Sequence, residues 1–446
     1  MTDTWHNSTT LHPLGLLAVL VLGGAILILP RRWAVLPMLI MACFVAPAQR
    51  LVVAGLDFNL LRIMVIFGWV RVLALGEYRD FRWRPIDFAI VLWAIAGTIT
   101  YTMLRGSTGA LIYKLGWSYD AIGMYFFFRF VVRDFEDLTR VAKGLAIIAV
   151  FVAFVFVVEK MTGRNMFAIF GGVPEQTAIR QGRMRCQGAF AHPILAGTFW
   201  AVSIGLIGAL YRDQRSRSLA IVGIVASVAI VILSTSSTPM IALVLCAFGA
   251  FMFKYRHHLG AIRLSVVGVL VLLHIVMNKP VWHLIARIDL VGGSTGWHRY
   301  HLIDQAINRV GEWAVMGTYS TAHWGYGLAD VTNQYVLEGV RGGLITLSLF
   351  VVTIVLAFGE VGRAWRRVEG DRIRRALTWA VGVSLFTHCM AFIAVSYFGQ
   401  ITMLWYLSLA LAACVGAITE RQRRIIPTGA IARRQSVPMT GRPALS

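Results

Sequence analysis

The sequence predicts an all-α polytopic membrane protein with about 12–13 transmembrane helices and two outward-facing polar loops, the larger near the C-terminus. Three observations carry that expectation. Of 446 residues, 58% are hydrophobic and only 14% charged, with a mean hydropathy of +0.69; soluble domains carry about 25% charged residues. Apolar runs of roughly 18 residues, enough to span the hydrocarbon core as a helix, recur along the chain. Alternating ten-residue strands, the mark of a membrane barrel, do not occur.

In order, the runs fall at about 14–29, 33–48, 58–75, 86–104, 113–132, 139–159, 190–211, 218–234, 238–253, 262–278, 336–358, 376–396 and 400–418. The first follows no Lys or Arg and precedes no A-x-A site, so it reads as a span rather than a cleavable signal peptide. The chain then divides into an N-terminal bundle (1–159), a first polar loop (160–189), central helices (190–278), a large polar loop (279–335), C-terminal helices (336–418) and a basic tail (419–446). The tail is rich in Arg, Pro, Gly and Ser, the composition of a disordered segment that anionic lipid attracts.

Basic clusters lie on alternate loops: Arg31-Arg32, Arg79 with Arg82 and Arg84, Arg133 with Arg140 and Lys143, Arg212 with Arg215 and Arg217, Lys254 with Arg256, and Arg363 to Arg375. Such loops are cytoplasmic. The N-terminus is therefore expected outside, the C-terminus inside, and both polar loops outward. This topology accounts for most of the net charge of +21, and no nucleic-acid partner is expected. The five cysteines form no C-x-x-C pair, and only Cys186 lies in a polar loop, so no disulfide framework is expected.

The first polar loop carries Arg180, Arg183 and Arg185. Guanidinium groups suit phosphate oxygens; the competing reading is that these three meet lipid headgroups or the start of the next helix. His192-Pro193 opens that helix, where a histidine more commonly caps or packs.

In the second loop, Trp297 to Val310 has helical spacing. His298, His301 and Asp304 share a side of such a helix, but no fourth ligand is dictated, and no metal is expected. Arg299 points elsewhere and suits a phosphate. Gly325-Tyr326-Gly327 reads as a turn, since a lone G-x-G is weak. Asn333 and Tyr335 stand where the chain re-enters the membrane, either as interfacial belt residues or as sugar-hydroxyl ligands. Within spans, Arg62, Arg71 and Asp120 are costly unless paired or facing water. No P-loop occurs anywhere, nor a D-x-D pair in either polar loop, so no nucleotide or nucleotide sugar is implied.

The succession of spans, Arg185-x-x-Gly188-x-Phe190-x-x-Pro193 before a middle span, and the late outer loop with Arg299, Trp313 to Gly317 and Asn333-x-Tyr335 followed by Glu338-x-x-x-x-Gly343-Leu344 resembles the O-antigen ligase and polymerase superfamily. The resemblance covers about Phe126 to Leu349.

It implies a bacterial inner-membrane glycosyltransferase acting at the periplasmic face on oligosaccharides carried by undecaprenyl pyrophosphate, without metal, nucleotide or other cofactor. Membrane lipids and other polysaccharide-assembly proteins would be its neighbours. It further implies that Arg185 and Arg299 are the arginines that meet the pyrophosphate. Ligases of that superfamily place a catalytic histidine where this chain has Thr332. That favours polymerisation of exopolysaccharide or O-antigen repeat units over ligation to lipid A core, with His323 or Asp330 as the remaining candidates for a base. Arg180, Arg183, His298, Asn333 and Tyr335 complete the expected site. A flippase for the same lipid-linked glycan is the rival reading; a non-catalytic scaffold would leave the outward arginines unexplained.

Overall fold

The computed structural model describes residues 9–53, 55–287, 295–368 and 370–425. The first eight residues, 288–294 of the large loop and 426–446 of the basic tail lie outside them.

Helices α1 (Pro13–Ile28) and α2 (Val35–Phe44) lead to a hairpin of β1 (Arg50–Val53) and β2 (Leu56–Asn59). Then come α3 (Leu60–Ala74), α4 (Pro85–Arg105), α5 (Thr108–Val131) and α6 (Phe135–Thr162). A second hairpin, β3 (Ala178–Arg180) and β4 (Arg183–Arg185), precedes α7 (Pro193–Ala209), α8 (Arg217–Leu233), α9 (Ser237–Phe251) and α10 (Leu259–Val276). The large loop holds α11 (Thr295–Asn308) and the short α12 (Val310–Trp313). Helices α13 (Gln334–Arg367), α14 (Arg372–Ala391) and α15 (Gln400–Ile425) follow.

Each expected span falls on a helix, and the helical spacing over Trp297 to Val310 becomes α11. Seven helical stretches of the described residues are long and apolar enough to cross a membrane. The differences lie at helix ends. The run expected over 33–48 is a helix of only 10 residues, about 15 Å long, because Pro47 turns the chain away from helical geometry. The run expected from 113 starts at Thr108, where Ser107 accepts from the Ala110 N–H at 3.2 Å, a side-chain cap. Pro85 and Pro193 open α4 and α7 in the first turn, where no N–H is needed. Expected as one run from 336, α13 starts at Gln334 and is broken at Gly343.

Successive helices linked by short turns reverse direction. Both polar loops, the β1–β2 hairpin and the starts of α9 and α15 therefore gather at one end, the loop end. Gln400 at the start of α15 donates to the Ala189 carbonyl at 2.6 Å, and Arg105 at the finish of α4 donates to the Tyr319 carbonyl at 3.0 Å. Helices α7 and α15 are the most enclosed of the long helices. Phe350, Phe392 and Trp405 pack together where α13, α14 and α15 meet, Phe392 edge-on to Trp405 and Phe350 tilted against both.

The opposite end carries the basic loops and is held by ion pairs. Arg84 bonds Glu360 at 2.5 Å and Glu420 at 3.0 Å. Arg71, one of the charges expected to need a partner, bonds Glu77 at 2.8 Å and the carbonyls of Ile26 and Leu29. Arg129 reaches Asp87 Oδ1 at 3.1 Å, and Tyr125 donates to the same oxygen at 2.5 Å. The five cysteines are free, with Cys186 fully buried.

Asp87 and Arg129 are 0% and 6% exposed. Breaking a buried pair leaves a charge uncompensated, which costs about 3–5 kcal/mol. Asp87→Ala should therefore lower the unfolding temperature in detergent markedly, and Asp87→Asn, which keeps an acceptor for Tyr125 and Arg129, should lower it less.

Candidate functional site

The first polar loop owes its shape to a tight hairpin and one buried carboxylate. Gln181 (φ 53°) and Gly182 (φ 72°) make the two-residue turn of β3–β4, a form that needs positive φ at both positions. The register sets Arg180 opposite Arg183. Beyond the hairpin, Glu159 at the end of α6 accepts from the Gln187 and Gly188 N–H groups at 3.1 and 3.0 Å and from Thr177 Oγ1 at 3.2 Å. Cys186 N–H donates to the Leu233 carbonyl at 3.1 Å, and Thr235 Oγ1 to the Met184 carbonyl at 3.0 Å. Arg185 is thus pinned between the end of α6 and the α8–α9 turn.

Arg185 Nη2 donates to Ser236 Oγ at 2.6 Å, and Arg299 Nη2, from α11, donates to Thr238 Oγ1 at 2.8 Å. Two guanidiniums far apart in the chain thereby converge on the N-terminus of α9, itself a centre of positive partial charge. Both are nearly enclosed, at 9% and 6% exposure. Arg185 Nε is buried without a hydrogen-bond partner. Burial, and then Arg180 nearby, pulls the Arg185 guanidinium below its ordinary value. Positive groups gathered in this way suit an anion with several oxygens.

His192 caps α7, its Nδ1 accepting from the Ile194 N–H at 3.1 Å. Burial and then Arg185 push it down to about 4, and Asp330 pulls the other way. Asp330 therefore lies within electrostatic reach of His192, the cap of α7. Its exposed carboxylate also lines a cavity of about 360 Å³ at the same end of the bundle.

The cavity is walled by α3, α4, α5 and the start of α13. Arg62 and Asp120, two of the charges expected to need a partner or water, form a forked pair with each other at 2.8 and 2.7 Å. Lys114 lies 4.4 Å from the centre of the Trp117 ring. Glu338 accepts from Trp93 Nε1 at 3.0 Å and Gln334 Nε2 at 2.8 Å. Gly399, on the cavity wall, abuts Ala191, so the cavity and the arginine loop are neighbours.

No family model matches the chain, and no curated protein is similar to it.

Several expected site residues stand elsewhere. His323 Nε2 is 2.7 Å from Glu312 Oε2, away from the cavity lining. Glu312 also accepts from Trp324 and Arg309, and these bonds, Trp324 first and His323 next, hold it at about 2. His298 lies beside Gly327. Asn333 caps α13 through its Oδ1 (3.1 Å to Val336 N) while its Nδ2 donates to the Ile393 carbonyl at 3.0 Å. Tyr335 donates to the Cys389 carbonyl at 3.0 Å and packs on Phe350 and Phe392. Both side chains are engaged in fixing α13 to the last turn of α14 and the chain just after it. Asp304 accepts from Trp282 Nε1 at 3.1 Å, and among the described residues no His, Cys, Asp and Glu side chains group as a metal set.

Ser236, Thr238, Trp117 and Lys114 escaped the reading of the sequence. Lys114 had a signal: it is a cation inside an apolar run, the same cost argument that flagged Arg62.

The late-loop motif has a backbone explanation. The 314–318 strip lies against the broken turn of α13, with Thr318 N–H on the Val340 carbonyl at 2.8 Å and Leu344 N–H on the Ala314 carbonyl at 2.7 Å. Gly343 has φ 71°, and a Cβ there would sit 2.2 Å from the Val315 carbonyl oxygen. Gly343→Ala should thus separate the loop from α13, seen as faster proteolysis of the large loop in membranes while the bundle stays folded.

Folding favours neutral His192, since its value in the folded chain lies below the ordinary figure of about 6.5. Its contribution is complete above about 6.5 and is lost as pH falls toward about 4. The unfolding temperature should therefore fall between pH 7 and 4.5, and less steeply in His192→Asn, which retains a capping acceptor.

Proposed function

We propose that this is a bacterial inner-membrane glycosyltransferase that polymerises repeat units carried by undecaprenyl pyrophosphate, with thirteen crossings, the loop end in the periplasm and the C-terminus in the cytoplasm. The observation that carries the reading is the convergence of Arg185 and Arg299 on the start of α9, beside a polar, aromatic cavity. Alternate basic loops support the orientation.

In this reading the pyrophosphate of the donor sits against Arg185, Arg299 and the α9 N-terminus. An acceptor hydroxyl oxygen forms a bond to the anomeric carbon as the bond from that carbon to the pyrophosphate oxygen breaks. The leaving oxygen takes the electron pair, and its growing charge falls on the two guanidiniums. Asp330, on the cavity lining and within electrostatic reach of His192, takes the hydroxyl proton. Arg180 and Arg183, exposed on the hairpin, draw the anionic donor in. The reaction needs no metal or nucleotide, because pyrophosphate is already a good leaving group. Thr332 in place of a histidine favours polymerase over ligase; a ligase acting on lipid A core is the nearest alternative.

A transporter of the same lipid-linked glycan is favoured by one observation, the break of α13 at Gly343, since broken helices line transport sites. Purified protein in detergent, given a synthetic undecaprenyl-pyrophosphate repeat unit, decides between them. A product ladder with release of undecaprenyl pyrophosphate is expected from wild type and none from Arg299→Ala, with membrane levels unchanged. Wild-type ladders from Arg299→Ala would sink the arginine assignment. Absence of any product, together with movement of the glycan lipid across a vesicle, would establish the transporter.

A further inference from the structure

We propose that the cavity between α3, α4, α5 and α13 is a saccharide subsite, separate from the arginine centre, that holds an uncharged sugar unit. Its volume of about 360 Å³ is in the range of small-molecule sites. Three aromatic side chains at its wall face outward: Tyr113, Tyr319 and Phe398 are 39%, 58% and 38% exposed. Arg105 lies over the Tyr319 ring, 5.1 Å from its centre, and the ring surface left exposed on the three is apolar area of the kind that receives the C–H face of a pyranose.

The floor is polar. Lys114 and Glu338 are 3% and 5% exposed, and the Arg62–Asp120 fork lies beside them. Glu338 uses one lone pair on each oxygen for Trp93 and Gln334, and a carboxylate has about four acceptor positions. It can therefore accept further bonds from hydroxyls.

Two other occupants fit poorly. A hydrocarbon tail would strip water from four charged groups and give them nothing in return. A pyrophosphate would meet the carboxylates of Asp120, Asp330 and Glu338 in the cavity, whereas Arg185 of the arginine centre donates to a serine hydroxyl and, among the described residues, to no carboxylate. The cavity's cations (Arg62, Arg105, Lys114, Arg341) and these carboxylates nearly balance, so a neutral polyol is the ligand class that matches both wall and floor. That the bound sugar is the acceptor end, with its hydroxyl toward Asp330, rests on the transferase reading.

The test is saturation-transfer NMR on the purified full chain in detergent with cellobiose, lactose and N,N′-diacetylchitobiose as probes, and inorganic pyrophosphate as competitor. Transfer to ring protons of at least one disaccharide is expected. It should weaken tenfold or more in Tyr319→Ala and Phe398→Ala, whose exposed side chains leave the bundle core untouched, and in Glu338→Gln. It should persist in Arg185→Ala and under pyrophosphate. No transfer from any probe, equal transfer in all three cavity variants, or displacement by pyrophosphate would overturn the subsite. Cavity-dependent sugar binding without turnover of the lipid-linked donor would keep the subsite and remove the transferase; turnover without such binding would do the reverse.

Discussion

A charge inside an apolar bundle must find its partner within the protein, and that constraint shapes both ends of this molecule. At the basic end the demand is met by pairs between helices, some adjacent and some distant in sequence. Arg84 of the loop before α4 holds Glu360 of α13 and Glu420 of α15, and Arg129 of α5 holds Asp87 of α4. Each pair fixes the relative height of two helices, because sliding one past the other would strand a charge in hydrocarbon. The hydrophobic surfaces have no such register of their own.

The loop end obeys the same rule but leaves a remainder. Glu159 is fully buried, yet its oxygens are met by two backbone N–H groups and a hydroxyl rather than by a cation. Arg185, which that carboxylate indirectly positions, meets a serine hydroxyl rather than an anion. A negative group is thus met by neutral donors, and a positive group by a neutral acceptor. A guanidinium held by a hydroxyl in this way keeps its charge available for an anion from outside.

Much of the fold was legible because it follows from composition: long apolar runs must become helices in lipid, and each expected run did so. Helix ends were less legible, since a single residue decides them, as Ser107 does for α5 and Pro47 for α2. The arginine centre was half legible. Arg185 and Arg299 stood out as charges on the loop end, but Ser236 and Thr238 lie in a run of serines and threonines that gives no hint which hydroxyl meets which guanidinium. Asn333 and Tyr335 stayed ambiguous for a physical reason: residues that cap a helix and hydrogen-bond a neighbouring carbonyl are the same polar types that bind sugars. His323 was ambiguous in the same way, and Glu312, eleven residues earlier, was the partner that sequence distance concealed.

The break at Gly343 ties these features together. A continuous α13 would carry its first turns straight on along the axis of the rest of the helix. With the chain interrupted at φ 71°, the segment before the break has its own direction, and Gln334, Glu338 and Arg341, spaced four and three apart, share one face of it. All three line the cavity. The strip 314–318 fills the gap that the break opens and satisfies the Leu344 N–H and the Val340 carbonyl, groups that a break would otherwise leave unpaired in a poorly hydrated place. One helix can therefore serve as membrane anchor below the glycine and cavity wall above it. The large loop, through this strip and through Arg299 on α11, is the element that connects that wall to the arginine centre.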